Sequence, residues 1–345
     1  MPNDQIGSLK TEVFALNTTD RLKNYFEFEE KNPVIDKIIK LAGDASTRQY
    51  FRIFCNDTSF IVALYPESFN ALTHPFCDVT KIFFTAKLPV PKIISVSAKY
   101  GLMLLEDLGD LRLQDWLTNA SPTEQKAAYQ EAIELILAIQ SATELAIKEN
   151  SISSQLAFDE AKLAWELDFF YKHYFHSYLH IELSAEKENL LKLELSEIAK
   201  ELAERPRVLC HRDFHSRNLM FYQGRQYIID HQDARMGPAT YDLASLLRDP
   251  YVELNEELIQ ELYQFFIDKK LSSGTSKQWA EEIKLEFELM TVQRIVKAIG
   301  TYAYQTAVVK NMVYQPYIPK AIDTVITAAN RLGRFANLCE VLTKY

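Results

Sequence analysis

Three polar side chains in one short stretch of the chain have the types and spacing needed for phosphoryl transfer. Asp213 and Asn218 lie five residues apart in a polar segment, and Asp230 follows two apolar runs. An aspartate at the first position can accept or orient the proton of an acceptor hydroxyl. An amide oxygen and a carboxylate are ligands that Mg²⁺ uses together with nucleotide phosphates. We therefore predict that Asp213 is catalytic and that Asn218 and Asp230 bind magnesium.

Each of these residues alone is typical of a loop, because Asp and Asn side chains bond nearby backbone groups. The order and spacing of the three favour catalysis, provided that a hairpin brings them together. Residues 219–222 and 226–229 are rich in β-branched and aromatic residues, which predicts two strands. Residues 223–225 contain a glycine and would form a three-residue turn. Asn218 and Asp230 would then face each other, about 5 Å apart.

The composition excludes several classes of protein. The net charge of −9 argues against a surface for nucleic acid or anionic membrane. The 4 cysteines form no C-x-x-C pair, which indicates neither a disulfide framework nor a zinc site. We find no leader pattern and no apolar run near the roughly 20 residues that span a bilayer. We expect a cytoplasmic monomer whose partner is a small molecule.

The remaining pattern predicts two lobes around a hinge. Residues 8–42 are predicted to be helical, as are residues 75–87. Short strands are predicted at residues 49–54, 60–65, 93–96 and 102–105. Residues 106–110 are acidic and contain a glycine, which suits a hinge, and the later pattern is helical to 207 and again from 240. We expect the α+β class, with a sheet-rich lobe of residues 1–107 and a helical lobe of residues 108–345.

Several segments resemble the aminoglycoside phosphotransferase and choline kinase family, which has the bilobal protein-kinase-like fold. They are GDASTRQYFR at 43–52, LLEDLG at 104–109, HRDFHSRN at 211–218 and IDHQDA at 229–234. The match is closest to the bacterial members that phosphorylate the anomeric hydroxyl of N-acetylmuramate and N-acetylglucosamine. The resemblance implies an ATP-dependent sugar kinase that uses Mg²⁺, in cell-wall sugar recycling.

The same resemblance implies roles for residues outside the opening stretch. Residues 43–52 resemble the family's phosphate loop, and Ser46 and Arg48 would bind the nucleotide from this segment. The backbone of Leu105, Glu106 and Asp107 would bond adenine at the hinge.

Two further residues are expected to be structural. Asp242 would open a helix and bond the catalytic loop, residues 211–218. His211 would hold the same loop through backbone bonds.

The third strand departs from the kinase pattern. Kinases of this fold place a lysine there for the α- and β-phosphates, but Ala63 occupies the expected position. Arg48 or Arg52 would have to supply the missing charge, since arginine binds phosphate bidentately. The chain has no G-x-G-x-x-G or Walker A motif, which disfavours a Rossmann or P-loop protein.

The residues that bind the acceptor are the least well defined by the sequence. Glu166 and Asp168 would bond sugar hydroxyls from a predicted helix, or they are solvated helix charges. Gln232 and Asp233 lie close enough to Asp230 to act at the acceptor or to position the metal. Two alternatives stay open: an aminoglycoside or choline-type phosphotransferase, and a catalytically silent kinase-like binding protein.

Three histidines stand at helical spacing in an aromatic segment. His173, His176 and His180 would share one face of a helix, as metal ligands can. Carboxylates at matching spacing are missing, so we expect residues 169–176 to pack against the lobe or to line the acceptor pocket.

Overall fold

The computed structural model describes residues 17–28, 34–41 and 48–345. Ser46, which was predicted to bind nucleotide, lies outside these residues. None of the helices in the described part of the chain has the length and apolar character needed to span a bilayer.

The first part of the chain forms one antiparallel sheet of five strands. Its strands are β1 (Lys37–Leu41), β2 (Gln49–Cys55), β3 (Thr58–Leu64), β4 (Ile93–Ser97) and β5 (Leu102–Glu106), in the order β1-β2-β3-β5-β4. The prediction of helix throughout residues 8–42 is wrong for β1. Ile38 and Ile39 are β-branched, and β1 pairs with the otherwise free edge of β2. Strand propensity and this pairing outweigh the helical spacing of the apolar residues.

Two helices cover opposite faces of this sheet. Helix α1 (Thr18–Phe28) packs Leu22 and Tyr25 against Val62 of β3 on the outer face. Helix α2 (Pro75–Thr85) packs Phe76 against Ala63 on the inner face. Because side chains alternate along a strand, Ala63 points toward the second lobe, where the sequence placed the missing lysine.

The second part is largely helical, as predicted. Its helices are α3 (Leu113–Leu117), α4 (Pro122–Ser141), α5 (Thr143–Lys148), α6 (Ile152–Gln155), α7 (Glu160–Phe170), α8 (Ala185–Ala203), α9 (Tyr241–Leu247), α10 (Glu256–Ser272), α11 (Lys277–Ala307), α12 (Ile318–Leu332) and α13 (Ala336–Lys344). Helix α11 runs through the centre of this lobe and buries nearly every side chain between Glu286 and Val296. A rigid, buried helix is a suitable support for catalytic groups.

Two short sheets carry the polar loops. Strand β6 (Arg207–Cys210) pairs with β9 (Arg235–Pro238), and β7 (Leu219–Tyr222) pairs with β8 (Arg225–Ile228). The sequence predicted the hairpin but not β9, whose four residues include a glycine and a proline. Burial among the helices stabilises this strand, and such packing between distant parts of the chain does not show in the local sequence.

A π-helix from Tyr171 to Leu179 follows α7 directly. Its hydrogen bonds span five residues rather than four, so His173, His176 and His180 do not share a face. His180 ends the segment in the left-handed conformation, with φ of 56°. The described residues contain no group of three metal-binding side chains, and the aromatic segment packs against α11, as expected.

Gly300 allows α11 to approach α7 closely. A methyl group at this position would lie 2.6 Å from the Phe170 Cα and 2.9 Å from its backbone nitrogen. We expect Gly300→Ala to lower the free energy of unfolding by about 1–3 kcal/mol, because backbone must move. Alanine stabilises an uncrowded helix by about 1 kcal/mol relative to glycine. A raised midpoint in thermal unfolding would therefore contradict this packing. Leu285→Ala, at an exposed position of α11, serves as the control.

Candidate active site

The β7–β8 hairpin places Asn218 and Asp230 in one cleft, with a different register from the prediction. Tyr222 pairs with Arg225, so the turn has two residues, Gln223 and Gly224, with φ of 50° and 80°. Positive φ at both positions is the type I′ geometry. The Ile229 N–H donates to the Asn218 carbonyl over 3.0 Å, so Asn218 faces Ile229 rather than Asp230.

Two aspartates buried in the helical lobe hold the catalytic loop by its backbone. Asp242, in the first turn of α9, accepts hydrogen bonds from the His211 N–H at 2.6 Å and from the Arg212 N–H at 3.0 Å. Asp249 accepts from the backbone and hydroxyl of Ser216 at 2.9 and 2.5 Å. His211 Nε2 lies 3.0 Å from the Ile229 carbonyl oxygen. The contacts to the loop expected of Asp242 and His211 agree with these bonds, but the prediction that Asp242 caps the helix is wrong, because Thr240 is the N-cap residue of α9.

Asp213 is anchored through one of its two oxygens. Its Oδ1 accepts hydrogen bonds from Lys297 Nζ at 3.0 Å and from Arg294 Nη2 at 3.2 Å. Arg212 Nε lies 3.7 Å from Oδ2. Among the residues that the structure describes, none donates a hydrogen bond to Oδ2. Two cations thus fix the carboxylate and leave Oδ2 for an acceptor hydroxyl.

These charges determine the protonation states at the centre of the site. Burial would raise the pKa of Asp213, but Lys297, Arg212 and Arg294 hold that pKa well below its usual range. Burial lowers the pKa of Lys297 to about 8, although the charge of Asp213 opposes the shift. Asp213 is therefore an anion and a weak base at neutral pH, and Lys297 is the group that changes charge in the mildly alkaline range.

Asn218 and Asp230 have oxygens suited to a metal. The Asn218 amide nitrogen donates to the Asp213 carbonyl at 2.9 Å, which leaves the amide oxygen for a ligand. Asp230 adopts a left-handed conformation, and its Oδ1 accepts from Gln232 Nε2 at 2.9 Å. One amide oxygen and one carboxylate suit Mg²⁺ completed by phosphate oxygens.

Helix α2 of the first lobe positions the metal loop, residues 229–234, through His231. The His231 ring lies between Phe76 and Phe83 of α2, at centroid distances of 4.7 and 5.4 Å. Its Nε2 lies 2.6 Å from the Thr80 hydroxyl. Burial lowers the pKa of His231 to about 3, so the ring is neutral. This contact could not be predicted from the sequence, because α2 and Asp230 are distant along the chain.

A cleft of about 1030 Å³ lies between the sheet and these loops. Its apolar lining includes Leu41, Ile61, Pro91, Leu105, Leu108, Met220 and Ile229. At the hinge, Leu105 lies inside the sheet between β3 and β4, and the Glu106 N–H donates to the Lys92 carbonyl at 2.9 Å. The backbone of Asp107 forms no hydrogen bond with another described residue, so it retains both groups for a ligand.

Arg52 and Arg48 have different surroundings. Arg52 Nε lies 2.7 Å from Asp107 Oδ2, and Nη1 lies 2.8 Å from Asp110 Oδ2, so Arg52 ties β2 to the hinge. Arg48 Nη2 lies 3.4 Å from Asp230 Oδ1, beside the metal loop. Of the two arginines predicted to replace the missing lysine, Arg48 has the position for contact with phosphate.

A second cavity of about 250 Å³ lies on the other side of Asp213. Its lining combines cations with aromatic and amide side chains: Arg212, Arg294, Lys297, Tyr251, Tyr302, Tyr314 and Gln305. Asp213, His215, Tyr251 and Tyr314 line both this cavity and the cleft. Asp213 therefore stands where the two spaces meet.

The predicted acceptor residues lie outside this second cavity. Gln232 and Asp233 line the cleft, where Asp233 pairs with Arg212 Nη1 at 3.1 Å. Glu166 is buried and accepts from Gln293 Nε2 at 3.0 Å, but it lines neither space. Asp168 is exposed and also lines neither.

The sequence reasoning missed Arg294 and Lys297. They stand three residues apart on α11, a spacing that puts two side chains on one helix face. This spacing of two cations on a predicted helix was the sequence signal that could have identified them. Nothing in the sequence indicated that it faces Asp213.

The chain is similar in sequence to known phosphotransferases. Residues 37–270 match the family described as "Phosphotransferase enzyme family". The chain is 30% identical to an N-acetylmuramate/N-acetylglucosamine kinase of Neisseria meningitidis, over 88% of this chain and 89% of the relative. It is 30% identical to an enzyme of the same name from Pseudomonas aeruginosa, over 89% and 88%.

The fold has solved counterparts. An ADP-bound aminoglycoside phosphotransferase superposes with a TM-score of 0.57 at 13% identity, covering 93% of this chain and 100% of the other. The predicted α+β, protein-kinase-like fold is thereby confirmed. The family match covers most of the chain, from β1 to within α10, and includes Asp213, Asn218 and Asp230. The chain belongs to the phosphotransferase enzyme family.

Proposed function

We propose that this protein transfers the γ-phosphoryl group of Mg-ATP to the anomeric hydroxyl of N-acetylmuramate or N-acetylglucosamine. The names of its relatives support the choice of acceptor. The observation that carries the proposal is the position of Asp213, at the junction of a nucleotide-sized cleft and a smaller cavity. A hydroxyl in the small cavity would meet Asp213 Oδ2 and a phosphate in the cleft.

The chain's own residues supply positioning and charge. Asn218 and Asp230 would hold Mg²⁺, which when bound neutralises phosphate charge. Asp107 would bond adenine through its backbone, and Arg48 would bond phosphate. The sugar oxygen forms its bond to phosphorus as the bond to the leaving ADP oxygen breaks, and the hydroxyl proton leaves through Asp213. A weak base suffices, because phosphoryl transfer depends mainly on positioning and electrostatic stabilisation.

The charge of the small cavity disfavours the alternative acceptors. Arg212, Arg294 and Lys297 line it, with Asp213 as the single carboxylate. An aminoglycoside is a polycation and choline is a cation, so both would be repelled. A silent binding protein is also disfavoured, since such a protein has no need for an oriented Asp213 beside two metal-binding oxygens.

The proposed acceptor position can be tested by product analysis. With Mg-ATP and a panel of sugars, we expect ADP release with both N-acetylated sugars and a sugar 1-phosphate in the phosphorus NMR spectrum. The methyl glycoside of N-acetylglucosamine, whose anomeric oxygen is blocked, should give no product. Phosphorylation of that glycoside, or of an aminoglycoside in place of the sugars, would contradict the proposal.

Asp213→Asn tests the catalytic role. We expect kcat to fall by about 10²–10⁴-fold, because the neutral amide no longer accepts the hydroxyl proton. The Kd for Mg-ATP should change little, since Asn218 and Asp230 remain. Titration of nucleotide binding by calorimetry, beside steady-state kinetics, separates the two effects. Loss of nucleotide binding would instead assign Asp213 to the metal, and Asp168→Asn on the exposed surface of α7 is the matched control.

Lys297 should determine the alkaline limb of the pH profile. Its pKa is lowered to about 8, and it faces Asp213, Arg294, Arg212 and Glu166. As the pH rises through this value Lys297 loses its charge, so Asp213 loses one of its two anchors and kcat/KM should fall. Lys297→Arg should move the limb to higher pH, since arginine stays charged. An unchanged limb in that variant would assign it to a different group.

A further inference from the structure

Arg294 has a buried donor that the described protein atoms leave unused. Its Nη2 donates to Asp213 Oδ1 at 3.2 Å. Its Nε is buried and forms no hydrogen bond with any described residue. The side chain is only 9% exposed, so bulk water does not reach it freely. Buried polar groups are nearly always paired, and Arg294 lines the small cavity, so its guanidinium is available to a ligand bound there.

The surroundings of Arg294 carry an excess of positive charge. Three cations, Arg212, Arg294 and Lys297, line the small cavity, and Asp213 is the single carboxylate among its lining residues. The whole chain, by contrast, has a net charge of −9. A buried excess of cations favours an anionic ligand, because it is not screened as a surface charge would be.

We propose that Arg294 binds a carboxylate of the acceptor and thereby makes an acidic amino sugar the preferred substrate. This inference rests on the proposed function. N-acetylmuramate carries a carboxylate on its lactyl ether, whereas N-acetylglucosamine has a free hydroxyl at that position. A guanidinium pairs with a carboxylate through two parallel N–H donors. Tyr302 and Tyr314 of the same cavity provide aromatic surface for the sugar.

Lys297 provides a matched comparison on the same helix. Both cations contact Asp213 Oδ1, at 3.0 Å for Lys297 and 3.2 Å for Arg294. The unpartnered buried nitrogen belongs to Arg294 alone of the two. Lys297 therefore acts on every acceptor through the position of Asp213, whereas Arg294 also discriminates between acceptors.

The test compares kcat/KM for three acceptors: N-acetylmuramate, its carboxamide and N-acetylglucosamine. The carboxamide keeps the size of the lactyl group and removes its charge. The wild-type enzyme should prefer N-acetylmuramate to the carboxamide by about 10- to 100-fold, the range for hydrogen bonds to charged groups. Arg294→Gln should bring that ratio close to one, and Arg294→Lys should give an intermediate ratio. Lys297→Met should lower all three values together and preserve the ratio.

Each contrary result has a distinct meaning. If Arg294→Gln lowers all three values by the same factor, Arg294 is a positioning residue for Asp213 and the inference is overturned. Equal use of N-acetylmuramate and its carboxamide by the wild-type enzyme overturns the inference without any variant. In both cases, continued phosphorylation of N-acetylglucosamine would still support the proposed function. A wild-type enzyme inactive toward all three sugars overturns both.

Discussion

The pairing of Asp213 with two cations of helix α11 is the interaction on which the rest of the site depends. Lys297 and Arg294 both bond Oδ1, and among the described residues no donor bonds Oδ2, whose nearest cation is Arg212 Nε at 3.7 Å. The same pairing holds the pKa of Asp213 low, so the residue acts as an oriented hydrogen-bond acceptor. Because α11 is buried along most of its length, this orientation is set by the core of the helical lobe.

Because β3 has no lysine at the expected position, other side chains must supply the positive charge that balances the phosphates. Ala63 and Phe76 form an apolar contact on the inner face of the sheet, so neither side chain offers charge to the nucleotide. Positive charge is found instead in Arg48 beside the metal loop, and in the pair on α11 beside the acceptor. The α2 helix still reaches Asp230, but through the neutral ring of His231. The packing of His231 thus joins the lobes in addition to the ion pair between Arg48 and Asp230.

The parts of the site formed by residues close together in the chain could be predicted from the sequence. The parts that depend on contacts between distant residues could not. The spacing of Asp213, Asn218 and Asp230 indicated phosphoryl transfer, since a loop and a hairpin are continuous in the chain. The hairpin register was missed by one residue, because Gln223 takes a positive φ that its residue type rarely favours. Arg294 and Lys297 were missed because only the packing of α11 brings them to Asp213. Asp168 was proposed for the acceptor because a helix pattern shows charge without showing which side is solvated.

A crystal structure with a non-hydrolysable ATP analogue, Mg²⁺ and N-acetylmuramate would show whether Asp213 meets the acceptor hydroxyl. We expect Asp213 Oδ2 within about 2.6–3.2 Å of the anomeric oxygen, with Oδ1 still bonded to Lys297 and Arg294. Asp213 bound to the metal, or an anomeric oxygen placed away from Oδ2, would contradict this expectation.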